Sequence, residues 1–241
     1  MKLAKPRIDI GFATNDAPAA LAFWQNEIGL PFDYTQPIRR GYKQHRHDLR
    51  GSVLKINQVY DPLPDNPPSG YRELLIARND IAAPTARVDP EGNRVSLVPT
   101  GMFGIERIGI RLGVRDVEAH QRFYVEALGL PQVKSAAIGG AATFLAGDTV
   151  LIVEHASDAP HDASFEGRGW RYITFQVFDV DREHAYVLAH GGREARAPVT
   201  LGTTARVSMV RDPDGNWIEL SQRASLTGSL ESSGSALPSR D

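Results

Sequence analysis

The chain has 241 residues, a formal net charge of −2 and no cysteine. That charge gives no reason to expect nucleic acid or an anionic membrane as a partner. The missing cysteines exclude disulfides, thiolate metal sites and cysteine nucleophiles. The length suits one large or two ordinary domains. No apolar run is long enough to span a bilayer, and the first ten residues lack the apolar stretch of a secretory signal, so a cytoplasmic location is expected.

A first strand is predicted where Ile8, Ile10, Phe12 and Thr14 alternate with Asp9, Gly11 and Ala13, the period-2 pattern of a half-buried strand. A helix follows over about 17–28. Asp16 is placed to cap it, Pro18 sits in its first turn, Gly29 ends it, and Leu21, Phe23, Trp24 and Ile28 form its apolar face. One short strand is expected after the helix, then a hairpin of 41–47 and 52–58 joined by Asp48–Gly51. The Pro-rich stretch 61–70 cannot enter a sheet interior and reads as an ordered or semi-rigid connector. A strand at 71–78 reaches Asp89-Pro90-Glu91-Gly92 after only ten residues, too few for a helix and two strands at ~1.5 and ~3.3 Å rise per residue. Residues 99–104 look like a linker.

The remainder reads as a second round: a strand from Ile108, a helix over 117–128, and a hairpin of 140–146 and 149–155 around Gly147-Asp148. A strand at 170–178, a helix near 180–190 closed by Gly191-Gly192, and more strand before Asp212-Pro213-Asp214-Gly215 complete it. Residues 224–241 are Ser/Gly-rich without an apolar pattern and are expected to be a disordered tail.

Aligned without gaps, Ile8, Ile10, Asp16, Ala19, Phe23, Gly29, Leu30 and Pro31 recur as Ile108, Ile110, Asp116, Ala119, Phe123, Gly129, Leu130 and Pro131. Residues 88–98 (VDPEGNRVSLV) are echoed at 211–221 (RDPDGNWIELS). A period this long indicates two copies of one domain.

A strand, a helix ending F-[WY]-x4-[IL]-G-L-P, a hairpin, and D-P-[DE]-G-N before the last strand resemble the vicinal oxygen chelate superfamily. Its members include glyoxalase I, extradiol dioxygenases, and fosfomycin- and bleomycin-resistance proteins. The resemblance implies an α+β fold of tandem βαβββ modules forming two glyoxalase-like domains at 7–98 and 105–222, the first truncated in its second half. It also implies cups completed across a pseudo-twofold axis, the first half of one module facing the second half of the other. In that superfamily, inward-facing side chains hold a divalent ion. The usual ligand positions fall on Gly109, Ile152, Tyr172 and Glu219 in the second module, of which only Glu219 keeps the expected type. In the first module they fall on Asp9, Lys55, Glu73 and Ser96.

His45 and His47, two apart on one predicted strand, project to one face. Beside a carboxylate they can chelate Zn, Fe, Mn or Ni. An H-x-H on a strand is more often a solvent-facing or packing pair, and a Gly bulge in the Asp48–Gly51 turn would change which face they occupy. Glu73 beside Lys55 can move a proton next to a carbonyl, or be a satisfied ion pair. Asp9 can be a ligand or a hydrogen-bond acceptor, and Glu219 a ligand, a base or a relic of the fold. Arg111 suits an acidic substrate or a surface ion pair.

The leading expectation is an enzyme acting on a small organic substrate with adjacent oxygens, by isomerase, lyase or dioxygenase chemistry through a metal-stabilised enolate or oxyanion. Its metal ligands would be His45, His47, Glu219 and Asp9, with Glu219, Glu73, Lys55 and Tyr172 as catalytic groups. The alternative is a metal-free sequestering protein of the bleomycin-resistance type. Missing histidines at the usual positions count against a ring-cleaving dioxygenase. The chain is expected to be a monomer or homodimer, with neither nucleic acid nor membrane as partner.

Overall fold

The computed structural model describes residues 1–133 and 140–230. Strand β1 (Leu3–Thr14) sends Ile8, Ile10 and Phe12 into the core, and Asp9 and Gly11 to the other face. Asp16 Oδ1 accepts from the Ala19 amide at 3.0 Å and starts helix α1 (Ala17–Ala22). The helix then widens to a π-turn over Phe23–Glu27, with Ile28 N donating to Phe23 O at 3.1 Å, and Gly29 ends it at φ 79°. Strands β2 (Phe32–Arg39), β3 (Tyr42–Leu49) and β4 (Ser52–Val59) follow. Next come β5 (Tyr71–Arg78), β6 (Thr85–Val88) and β7 (Arg94–Pro99).

The second repeat opens the same way: β8 (Ile108–Val114), α2 (Val117–Arg122) capped by Asp116, and a π-turn over Phe123–Ala127. Strands β9 (Gln132–Val133), β10 (Ala142–Ala146), β11 (Thr149–His155) and β12 (Trp170–Val177) precede α3 (Val180–Ala189). Strands β13 (Arg193–Leu201), β14 (Ala205–Arg211) and β15 (Trp217–Arg223) close the fold. The truncation is visible here: in chain order β5 is followed directly by β6 and β7, where the second repeat inserts α3 after β12. A short helix, α4, forms at Ala224–Thr227, at the start of the expected tail, and residues 231–241 lie outside the described residues. No helix among the described residues is long and apolar enough to cross a membrane.

The two repeats exchange halves. One sheet runs β13-β14-β15-β12-β1-β4-β3-β2 and the other β6-β7-β5-β8-β11-β10-β9. The seam of the first is the antiparallel β1/β12 ladder, with Asp9 opposite Thr174 and Gly11 opposite Tyr172. The seam of the second is β5/β8, with Glu73 opposite Arg111. One apolar core runs through both repeats, joining Ile10, Phe12, Leu54 and Phe175 of one sheet to Leu74, Ile110, Leu112 and Leu151 of the other. A shared core follows from this exchange, because neither repeat owns a complete sheet.

The D-P-[DE]-G turns are buried struts rather than surface turns. Asp89 accepts from the Glu91 and Asn93 amides at 2.9 and 2.8 Å and from Trp24 Nε1 at 3.0 Å, tying α1's π-turn to the second sheet. Asp212 repeats the pattern with the Asp214 and Asn216 amides at 3.0 and 2.8 Å. The Pro-rich connector is held as well: Asn15 bonds to Asp61 O and the Leu63 amide, and Arg171 donates to Asn66 O and Pro67 O.

Candidate functional site

The first sheet curls round a cavity with two adjoining lobes of about 480 and 450 Å³. Strand alternation decides what enters it. With Leu54, Ile56, Ile173, Ile218 and Leu220 in the core, their neighbours Lys55, Asn57, Tyr172, Thr174 and Glu219 point the other way, into the cup. Lys55 Nζ lies 2.7 Å from Thr174 Oγ1 and 3.1 Å from Glu219 Oε1, and 5.4 Å from the centre of the Tyr172 ring. Burial pulls the Lys55 ammonium below its ordinary value, and Glu219 and Asp9 oppose that pull. Tyr172 accepts from Asn57 Nδ2 at 3.0 Å. Burial, then Tyr42 and Glu219, push its phenol well above 10, so it stays a proton donor. Tyr42, on the wall, is pushed to about 12 by burial and by Glu219 against the pull of Arg196 and Arg39.

Of the expected site residues, Lys55, Tyr172 and Glu219 therefore meet in one cup. Asp9 lies at its closed end with both oxygens engaged: Oδ1 with Lys5 Nζ at 2.7 Å and the Val53 amide at 2.9 Å, Oδ2 with Gln176 Nε2 at 3.1 Å. Burial raises the Asp9 carboxyl, but Lys5 and Lys55 outweigh it and hold the group below its usual range.

Glu73 is not beside Lys55. Strand β5 leaves for the other sheet, where Glu73 pairs with Arg111 Nε at 3.2 Å and accepts from Ser96 Oγ at 2.6 Å. Arg111 also reaches Glu154 at 3.3 Å and lies 5.3 Å over the Phe103 ring, so its role here is an ion pair. That second concavity is filled by the linker: Met102, Phe103 and Ile105 pack on Leu75, Val150 and Ile152. A Cβ on Gly109 would come 2.5 Å from Ile105 Cδ1.

His45 and His47 do not enter the cup either. The hairpin turn is a tight Arg50-Gly51 pair, φ 55° and 91°, which places Leu49 opposite Ser52, His47 opposite Leu54 and Arg46 opposite Lys55 without a bulge. The histidines thus share the core-side face with Leu54 and Ile56. His47 Nε2 lies 3.0 Å from Gln25 Nε2, and His45 contacts Thr35 Oγ1 at 2.8 Å and Gln58 Oε1 at 3.0 Å. No carboxylate among the described residues joins them. Among the described residues no group of three or more His, Asp or Glu is arranged to hold a metal.

The donor chemistry of the cup agrees. Its centre carries an ammonium, which repels a divalent cation, and its one carboxylate there is bonded to that ammonium. The first-strand ligand position is Asp9, whose two oxygens are already taken by Lys5, the Val53 amide and Gln176. These residues do not fit a divalent ion, whether Fe, Zn, Mn or Ni.

Burial, and next the neighbouring His45, lower His47 to about 4. Between that value and the ordinary 6.5, the unfolded chain binds a proton the native protein refuses. Stability is therefore expected to fall as pH drops through this window and to stop falling from this source below it. Chemical denaturation of wild type and His47→Gln at pH 7 and pH 4.5 checks this. An equal acid loss in both proteins removes His47 as the cause.

Arg46, Gln44, Asn57 and Thr174 were not singled out in the sequence, yet Arg46 and Gln44 line the cup and Asn57 and Thr174 bond to its lining residues. Arg46 Nη1 donates to Gln44 Oε1 at 2.7 Å, and Gln44 Nε2 donates to Asn57 Oδ1 at 2.9 Å, leading on to Tyr172. The signal that finds them is hairpin parity: a two-residue turn at Arg50-Gly51 puts Arg46 across from Lys55.

A family model described as Glyoxalase/Bleomycin resistance protein/Dioxygenase superfamily matches residues 104–220. Among solved structures, glyoxalase I from Zea mays matches with a TM-score of 0.72 at 17% identity, covering 93% of this chain and 95% of that one. A presumed dioxygenase from Bacillus subtilis subsp. subtilis str. 168 matches with a TM-score of 0.66 at 13% identity, covering 92% and 86%. At these identities the likeness is one of fold. No curated protein matches.

Proposed function

We propose, from the match of residues 104–220 to the Glyoxalase/Bleomycin resistance protein/Dioxygenase superfamily model, that the β1–β4/β12–β15 cup is the small-molecule site and works as an acid–base site without a metal. Residues 7–98 and 105–222 are taken as the two modules that build it. The substrate is a small organic compound with adjacent oxygens, and the reaction an isomerisation or elimination. Glu219 takes the proton from the carbon beside a carbonyl. The electron pair moves onto the carbonyl oxygen, and Lys55 stabilises the oxyanion. The proton then returns to the neighbouring carbon, or a leaving group departs. Tyr172, kept as a phenol, supplies a further hydrogen bond. The observation that carries this reading is the buried Lys55 ammonium, 2.7 Å from Thr174 and 3.1 Å from Glu219. A fixed cation there supplies the charge that a Lewis acid would otherwise bring. The same reading has the protein in the cytoplasm as a monomer or homodimer.

A second reading has its own support. Glu219 is already bonded to Lys55, which suits a site that holds a ligand without reacting with it. Loss of α-protons to deuterium oxide, followed by NMR over a panel of α-hydroxy ketones and α-keto acids, separates the two. The enzyme reading expects protein-dependent exchange that survives exhaustive dialysis against a chelator. Binding without exchange makes the protein a sequestering one. Exchange that chelation abolishes and zinc or iron restores overturns the metal-free mechanism.

A further inference from the structure

The inner lobe of the cup is lined by Arg46, Lys55, Arg196 and Arg223, against one carboxylate, Glu219. Lys55 and Glu219 pair with each other. Among the described residues, Arg46, Arg196 and Arg223 have no carboxylate partner. The outer lobe is closer to balance, with Arg39, Arg40 and the shared Arg196 against Asp61 and Glu166. The excess of positive charge is therefore greater in the inner lobe, four cations to one carboxylate against three to two in the outer one.

Arg46 is the most constrained of the three. It is only 4% exposed, its one hydrogen bond runs from Nη1 to Gln44, and its Nε is buried without a partner. A guanidinium does not deprotonate in a protein, so burial cannot neutralise it as it can a lysine. Leaving such a cation without an anion is costly; among the described residues no carboxylate pairs with it, and the Tyr34 ring 5.6 Å away offers only a weak cation–π contact. An anion from outside does, and the planar fork of arginine matches a planar carboxylate in two parallel bonds.

The rest of the lining sets the other half of the ligand. Tyr172, Met209 and Trp217 form a buried cluster with Phe165 packed on it, and Ile38, Leu201 and Val207 continue the apolar wall. Arg196 lies 4.8 Å over the Phe165 ring and 5.6 Å over Trp217, which leaves its charge directed to the cavity. Arg223 bonds Gln36 at 3.1 Å and ties β15 to β2 at one end of the cup. A lobe of about 480 Å³ with this lining is large enough for a ring-sized molecule.

We propose that the cup takes an organic carboxylate with an apolar, ring-sized body, its carboxylate seated against Arg46 and its body on the Tyr172–Phe165–Met209 wall. This rests on the cup being the small-molecule site, and adds that the substrate class is anionic. On this geometry Arg46 holds the carboxylate while Lys55, opposite it on β4, faces the reacting oxygen.

The test compares acids with their uncharged amides on the full chain: phenylacetate with phenylacetamide, salicylate with salicylamide, and hexanoate with hexanamide, with inorganic phosphate as a fourth probe. Affinity is read by calorimetry and by the shift of the melting temperature. The expected result is that at least one acid binds tenfold or more tighter than its amide, that the aromatic acids exceed hexanoate, and that phosphate alone binds more weakly than the acids. Arg46→Met is expected to weaken acid binding by tenfold or more and so remove the acid–amide difference, with a much smaller effect on the amides. If Arg46→Met does not fold, the wild-type comparison still decides, as does Arg46→Lys, which keeps the charge but loses the fork and is expected to narrow the difference. Amides binding as well as acids would overturn this inference and leave the small-molecule site standing. Phosphate binding with acids no tighter than amides would reduce the site to a free-anion site and also overturn it. Binding by none of the probes would sink both.

Discussion

Glu219→Gln is expected to slow turnover by roughly 10²–10⁴-fold, the span of a lost acid–base group. The substitution keeps the shape of the side chain, and the amide oxygen can still accept from Lys55 Nζ, now 3.1 Å from Oε1. What it removes is the basic carboxylate that takes the proton. Lys55→Met should cost about 10²–10³-fold, the range for losing a preorganised charge at a developing oxyanion. Because the two groups act as a unit, the double variant should be little slower than the worse single one. Far-ultraviolet circular dichroism of each variant separates a lost fold from lost chemistry. Folded Glu219→Gln with unchanged α-proton exchange would remove Glu219 from the mechanism. Folded Lys55→Met with unchanged exchange would do the same for the ammonium.

Half of that pair was legible residue by residue. Glu219 sits between Ile218 and Leu220, and Lys55 between Leu54 and Ile56, so simple alternation sends both away from the core. That they face each other was not legible locally, since the contact spans the whole chain and depends on the exchange of halves. The repeats themselves were readable because the strand, cap, helix and Gly stop recur together, and the missing helix of the first repeat because ten residues cannot hold a helix and two strands. His45 and His47 were placed in the cup because their spacing puts them on one face, without deciding which. The deciding information lies in Arg50-Gly51: a two-residue turn fixes Arg46 opposite Lys55, and the histidines go with Leu54. Glu73 was misplaced for a different reason. Alternation with Leu74 and Ile76 turns it away from the core, but its sheet depends on β5 pairing with β8, a choice that nothing within 71–78 reveals.

Gly147→Ala is expected to destabilise the protein by about 3 kcal/mol, which for a chain of this size lowers the melting temperature by roughly 6–12 °C. Two costs add. Gly147 has φ 62°, a conformation an alanine resists by about 1 kcal/mol. A Cβ there would also overlap the backbone carbonyl of Pro6 on β1, which cannot rotate away as a side chain does. Overpacking against fixed atoms costs about 1–3 kcal/mol. This glycine is where the second repeat's hairpin turn meets the first repeat's opening strand, with Asp148 N donating to Pro6 O at 3.0 Å. Gly191→Ala is the control: φ 89° but nothing within 4 Å of the added carbon, so only the backbone term applies. Equal losses of melting temperature in the two variants would mean that the approach to Pro6 carries no weight.

The β1/β12 seam also decides when the molecule can exist during synthesis. Strand β1 ends at Thr14 and its partner begins at Trp170. At roughly 5–20 residues per second, a ribosome takes on the order of ten to thirty seconds to make the intervening chain. Throughout that interval one long edge of β1 waits without its partner, and an unpaired edge is a template for another chain. A second nascent copy presents the same edge, and later the same β12. Crowded polysomes should therefore favour interchain pairing of β1 with a neighbour's β12, giving intertwined dimers whose cups are each completed by two chains. A holdase that covers β1 until residue 177 has emerged should favour the monomer.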